Sequence, residues 1–169
     1  MTLVTLAAAG LFALLSIPSA VQAGELAAPI GKVVLEVSGA ITHTNRDGIA
    51  AYDVDMLEAL ESRTTVTTTP WYDGPRRFSG PLGQAVIDSI GATGTTLRVT
   101  AINDYVTDIP LADLMEYPVI LATRLDGERM SVREKGPIFV IYPFDEAPEL
   151  NNETYYGRSA WQVKSIEVY

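Results

Sequence analysis

The sequence predicts an α+β domain with a mostly β core and a few short helices. Three observations carry this reading. Short β-branched or apolar runs recur along the chain, bounded by Gly, Pro, Asn or Asp, which is the composition of brief strands joined by tight turns. Two or three segments instead place apolar residues at helical spacing. Residues 24–169 amount to one domain's length, with no internal repeat, low-complexity stretch or linker.

Taken in order, residues 32–39 (KVVLEVSG) have strand composition and 43–48 (HTNRDG) form a turn-rich loop. Asp53 can cap a short helix over 54–61, where Met56, Leu57 and Leu60 fall at helical spacing. The run TTVTTT at 64–69 suits a pleated strand, because β-branched side chains pack well there. It leads into Pro70, Trp71 and Tyr72, after which DGPRRFSG (73–80) predicts a turn into a short strand. Ser79 is then expected to cap a second helix, with Pro81 in its first turn, Leu82, Ala85, Val86 and Ile90 on one face, and Gly91 just past its end. TTLRVTAI (95–102) is a strand that 104–110 continues or returns, and Pro110 opens a helical turn to Met115. Residues 117–130 predict a buried strand turning at Asp126-Gly127 into a short partner. GPIFVIYP (136–143) is a further apolar strand, an irregular acidic stretch runs to Glu153, and WQVKSIEV (161–168) alternates as the closing strand.

Residues 1–23 carry no charged side chain, hold an apolar run from Leu6 to Ile17, and end in small residues after Pro18. This pattern reads as a signal peptide cut after Ala23, leaving a single exported, periplasmic domain over 24–169 with no membrane insertion after cleavage. Cysteine is absent, which removes disulfides, thiolate nucleophiles and thiolate metal ligands together. The net charge of −9 argues against nucleic acid and anionic membrane surfaces as partners.

Catalytic constellations are scarce. His43 is the only histidine and reads as a solvated loop residue, since a zinc site or a serine triad needs partners for it. Gly91 and Gly94 read as a helix cap and a turn rather than a phosphate cradle. Asp73, Asp104, Asp108, Asp126, Asp145 and Glu146 could in principle form a hydrolytic pair, but a solvated acidic surface explains them as well. No catalytic residue and no metal ligand is assigned.

A different signal stands out. Aromatic residues and arginines recur at strand ends and loops, where binding residues tend to sit: Trp71, Tyr72, Tyr105, Arg133, Tyr142, Tyr155, Tyr156, Arg158 and Trp161. A flat heteroaromatic ligand needs π faces or guanidinium planes above and below it and hydrogen-bonding groups at its edge. Asn103, Asp104 and Ser159 could supply that edge.

Three stretches together resemble the sulfite-oxidase-type molybdopterin-binding fold: TTVTTTPWYDGPRRFSGPLGQAVIDSIGA, the region from VTAINDYVTDIPLADL to GPIFVIYP, and YYGRSAWQVKSIEV. In that family a cysteine four positions before the tryptophan ligates molybdenum; here that place holds Thr67, and a hydroxyl is a poor substitute for a soft thiolate. An arginine often found in the strand after Gly-Pro is Phe139, leaving Arg158 and Lys164 as possible anion contacts.

The chain looks closest to a small exported branch that resembles periplasmic pterin-binding proteins, which have been linked to membrane enzymes making or degrading cyclic di-GMP. The resemblance implies a non-catalytic protein that binds a pterin and relays occupancy to the periplasmic domain of a membrane sensor, with no metal. Its expected ligand contacts are Trp71, Asp104, Tyr105, Arg133, Tyr142, Arg158, Ser159 and Trp161. Loops at 133–136 and 145–157 are the expected elements ordered by ligand. The alternatives are a molybdopterin-dependent oxidoreductase or subunit lacking the cysteine ligand, and an interaction module that has lost ligand binding.

Overall fold

The computed structural model describes residues 26–169; the signal-peptide reading of 1–23 lies outside them. The fold is α+β, with eleven strands and four short helices among the described residues. A five-stranded sheet is built around β1 (Leu35–Gly39), which pairs antiparallel with β2 (Ala50–Tyr52) and parallel with the last strand, β11 (Val163–Val168). β5 (Thr96–Ala101) and β6 (Val106–Pro110) extend it on the other side of β11, each antiparallel to its neighbour. Segment 104–110 therefore returns as a hairpin instead of continuing β5.

A second sheet holds β3 (Ser62–Thr69), β4 (Tyr72–Pro81), β8 (Arg124–Leu125) and β9 (Glu128–Arg129). β7 (Ile120–Ala122) and β10 (Phe139–Ile141) pair between the two. The threonine strand alternates as a half-buried strand should: Thr65 and Thr67 are buried, while Thr64, Val66 and Thr68 face out.

The helices α1 (Val54–Glu58), α2 (Gly83–Ser89) and α3 (Leu111–Glu116) lie in the three regions expected to be helical, but α1 ends at Glu58 instead of reaching 61, because β3 already begins at Ser62. Asp53 caps α1, its Oδ1 accepting from the Met56 N–H at 2.9 Å. Ser79 does not cap α2. β4 stays paired to β3 as far as Ser62 and Pro81, and the Ser79 hydroxyl bonds across the strands to the Thr64 hydroxyl at 2.9 Å. Helix α2 instead starts at Gly83, beyond Leu82, with no side-chain cap. Gly91 does close it, at φ +57°.

DGPRRFSG also behaves differently from a turn. The two-residue turn is Pro70-Trp71, and β4 runs ten residues from Tyr72. Asp73, Gly74 and Pro75 form a bulge where the β3–β4 register shifts, with Gly74 at φ +69°. A bulge accommodates both a left-handed glycine and a proline that cannot donate to the ladder. At Gly80 a side chain is excluded outright, because a Cβ would lie 2.2 Å from the Leu121 carbonyl oxygen of β7.

The acidic stretch before Glu153 is more ordered than its composition suggests: a 3-10 turn spans Pro148–Leu150 and α4 covers Glu153–Arg158, capped by Asn152 accepting from Thr154 N–H at 3.0 Å. Two apolar cores result, a large one under the five-stranded sheet and a smaller one around Phe78, Ile120, Phe139 and Ile141. Trp71 packs against both.

Among the acidic residues, Asp104, Asp108, Asp126 and Glu146 each pair with a lysine or arginine. The strongest cluster surrounds Glu58 on α1, which accepts from Thr123, Arg124 and Arg129. Burial opposes its ionisation, but the hydrogen bonds from Arg129, Arg124 and Thr123 outweigh it and hold the carboxyl at about 2. A folded pKa below the unfolded one adds stability at pH values above the unfolded pKa, lost as pH falls through the folded one. Glu58→Gln is therefore expected to cost about 1–2 kcal/mol at neutral pH after solvent screening. The gap to the parent should close between pH 4.5 and 2 in urea titrations, the span between the ordinary and the folded value.

Candidate functional site

Four segments meet beside the β3–β4 turn. That turn contributes Trp71, the β5–β6 turn contributes Asn103 and Tyr105, α4 contributes Glu153, Tyr156 and Gly157, and the link into β11 contributes Ser159 and Trp161. They enclose a cleft of about 300 Å³, at the small end of small-molecule sites. Each segment is held in place by local chemistry. The β5–β6 turn closes through Asp104 at φ +64° and the Asp104 N–H to Ala101 carbonyl bond of 3.1 Å. Trp161 is fixed where the chain bridges to Phe139 just before β11.

The aromatic groups meet Trp71 edge to face. Trp71 meets Trp161 at a centroid distance of 5.6 Å and 69°, Tyr156 at 6.1 Å and 79°, and the buried Phe139 at 5.3 Å and 60°. Edge-to-face contacts of this kind each add about 0.5–1.5 kcal/mol beyond burial, so the indole is anchored rather than hanging into solvent. The Lys135 ammonium sits 5.9 Å from the Trp161 ring and 4.7 Å from Tyr72. Tyr105 links two of the lining segments, its hydroxyl donating to the Gly157 carbonyl at 2.8 Å.

Of the eight residues expected from sequence, four line the cleft: Trp71, Tyr105, Ser159 and Trp161. Ser159 is 1% exposed and its hydroxyl donates to the Tyr155 carbonyl at 2.9 Å, so it gives shape rather than a free hydroxyl. Asp104 lies in the same turn, but its carboxylate takes the Lys164 ammonium at 2.7 Å, and that hydrogen bond and charge hold its pKa below the usual carboxylate value. Arg133 is exposed on the 3-10 turn Val132–Glu134 and does not line the cleft. His43, expected in solvent, is half-buried with Nδ1 3.0 Å from the Ser89 carbonyl.

Tyr142 and Arg158 belong behind the site, not in it. Tyr142 is fully buried and its hydroxyl donates to Asp113 Oδ2 at 2.8 Å; Arg158, on the last turn of α4, donates to the same oxygen at 2.8 Å. Burial, with the neighbouring Asp113 carboxylate, pushes the Tyr142 phenol well above its ordinary pKa. Asp113 thus ties α4 to α3 beneath the cleft.

Sequence reading missed Glu153 and Gly157 as lining residues, because α4 was read as part of an irregular stretch. The signal was present: Asn152 before Glu153 and Thr154 is an N-cap followed by an acid in the first turn.

The resemblance stated from the sequence implies a molybdenum cofactor, and the residues present do not fit it. Thr67, at the metal-ligand position, is 1% exposed, and its hydroxyl accepts from the Asp145 N–H at 3.1 Å while donating to the Thr68 carbonyl at 3.2 Å. It lines no part of the cleft. Glu153 is the one charged side chain among the cleft residues, so a phosphate-bearing cofactor would meet an anion there and no cation.

No family model matches the chain, and no curated protein matches its sequence. Among solved structures it is similar to the sulfane dehydrogenase SoxCD from Paracoccus pantotrophus, with a TM-score of 0.57 and 14% identity, over 80% of this chain and 37% of that one. The chain therefore spans well under half of that protein, and at this identity the likeness is one of architecture. The chain has an α+β, sulfite-oxidase-like fold.

Proposed function

We propose that the cleft binds a pterin, and that the protein is a non-catalytic periplasmic binding protein whose occupancy is relayed to the periplasmic domain of a membrane signalling protein. The observation that carries the binding reading is the convergence of both tryptophans of the chain, Trp71 and Trp161, with Tyr105, Tyr156 and the carboxylate of Glu153 on one small cleft. Indole and phenol faces suit a planar bicyclic ring. A carboxylate suits the amino-pyrimidinone edge, where two parallel N–H groups can be accepted together. Glu153 takes the edge role that sequence reading gave to Asp104. Export and the relay rest on the uncharged apolar leader and on the resemblance to periplasmic pterin-binding proteins.

The test is titration of the purified protein with neopterin, dihydroneopterin and tetrahydrobiopterin, beside Glu153→Gln. Saturable binding weakened about tenfold by Glu153→Gln, the scale of losing one charge-assisted hydrogen bond, is the expected result. No binding of any of the three by folded protein would end the reading.

A further inference from the structure

At the end of the five-stranded sheet where β1 and β11 begin, a groove of about 330 Å³ lies outside the cleft. Its floor is apolar: Val34, Met130, Pro137 and Val163 line it, and Met130 and Val163 are buried. Two further lining residues, Ile102 and Val132, are 46% and 51% exposed. Ile30, two residues before the lining Lys32, is fully exposed. Aliphatic side chains exposed together on one recess mark an interaction site, whereas single scattered ones need no explanation.

The charges that line the groove have one sign. Lys32 and Lys164 line it and no carboxylate does, in a chain with 21 acidic and 12 basic side chains. The acids of the segments that build it are occupied: Asp104 takes Lys164 at 2.7 Å, and Glu134 accepts from the Ser131 hydroxyl at 2.9 Å. All the lysines and arginines except Lys32, Arg77, Arg133 and Lys135 are in ion pairs among the described residues. Lys32 lines the groove, and Arg133 follows the lining Val132 on an exposed turn. Two cations without an acidic partner thus stand beside an exposed apolar floor, and Arg133, which the cleft does not use, has a place here.

We infer that this groove docks a segment of a partner protein that carries aspartate or glutamate among apolar side chains. The carboxylates meet Lys32 and Arg133, and the apolar side chains cover Ile102 and Val132. A short acidic segment meets these local cations, whereas an anionic bilayer or a second copy of this chain brings its charge against the net −9 of the whole molecule. The groove is also joined to the cleft. Gln162, next to Trp161, donates from Nε2 to the Val132 carbonyl at 2.7 Å, and its own carbonyl accepts from the Ile102 N–H at 2.9 Å. As the contact face of the relay the groove rests on the proposed function; as a docking site it stands on its own residues.

The experiment follows the fluorescence anisotropy of three short capped peptides labelled with fluorescein: glutamate alternating with leucine, lysine alternating with leucine, and glutamate alternating with serine. The glutamate-leucine peptide is expected to bind saturably and about tenfold more tightly than either of the others, since it alone offers both the apolar anchors and the matching charge. Lys32→Glu should weaken it about fivefold at low salt and Val132→Asp about tenfold. Both residues are exposed, so neither substitution threatens the fold. Met115→Ser, which removes an exposed apolar side chain from α3 instead, should leave the affinity within about twofold. Neopterin is titrated into the same samples.

No binding of the glutamate-leucine peptide, equal binding of the lysine-leucine peptide, or parent-like affinity in both groove variants would overturn the docking site, whether or not neopterin binds. Groove-dependent peptide binding without neopterin binding would uphold the docking site and end the pterin reading. A dimer in sedimentation that Val132→Asp dissolves, or cosedimentation with phosphatidylglycerol vesicles that Lys32→Glu abolishes, would give the face to another occupant and overturn the inference.

Discussion

Replacing Trp71 by leucine is expected to weaken pterin binding about 30-fold, because a stacked ring contributes about 1–3 kcal/mol and each 1.4 kcal/mol is tenfold in affinity. Leucine is the informative choice because Trp71 also packs against both apolar cores and against Phe139. Alanine would leave a cavity there and cost about 3–5 kcal/mol of stability, confounding the loss of binding with loss of fold. Leucine keeps apolar volume and removes the π face. Calorimetric titration with neopterin, read beside a thermal melt, separates the two effects: a large fall in affinity with a modest fall in Tm is the expected pair.

A second large effect, on stability, is expected at Asp113. It is 8% exposed and accepts from both Tyr142 and Arg158. Asp113→Ala leaves a half-buried guanidinium and a buried phenol without their acceptor, a class of change that costs about 3–5 kcal/mol. Because Arg158 is partly solvated, with 22% of its side chain exposed, the lower end applies, about 3 kcal/mol, or a Tm lowered by about 6–12 °C for a domain of this size. The cleft should suffer too, since Arg158 ends the helix that carries Glu153, Tyr156 and Gly157. Tyr142→Phe makes the contrast: the Asp113–Arg158 pair survives, so the cost falls to about 1 kcal/mol and affinity should hold.

These two residues also show where sequence reading succeeded and where it stopped. The threonine strand, the Asp53-capped helix, the Asp-Gly hairpin and the closing strand were legible because each is a local pattern: β-branched content, a cap, a turn pair, an alternation. Trp71 was legible as a residue of the cleft for a similar reason, an aromatic at a strand end beside a turn. Tyr142 and Arg158 carry the same composition signal as Trp71, yet their place is decided by Asp113, 29 and 45 residues away. No local pattern reports such a partner. Ser79 failed likewise, because strand pairing with Thr64, 15 residues earlier, won over helix capping. Glu153 was hidden in an acidic stretch whose charge masked a short capped helix.

The most direct test of the central claim uses the fact that the chain has two tryptophans and both line the cleft. In 15N-labelled protein the two indole N–H resonances therefore report the site without background. Adding neopterin is expected to shift both resonances along saturating curves that give one common dissociation constant, as ring currents from a stacked bicycle reach Trp71 and Trp161 together. Two indole resonances that stay in place at saturating neopterin, in a protein whose remaining spectrum is that of a folded chain, would contradict the account.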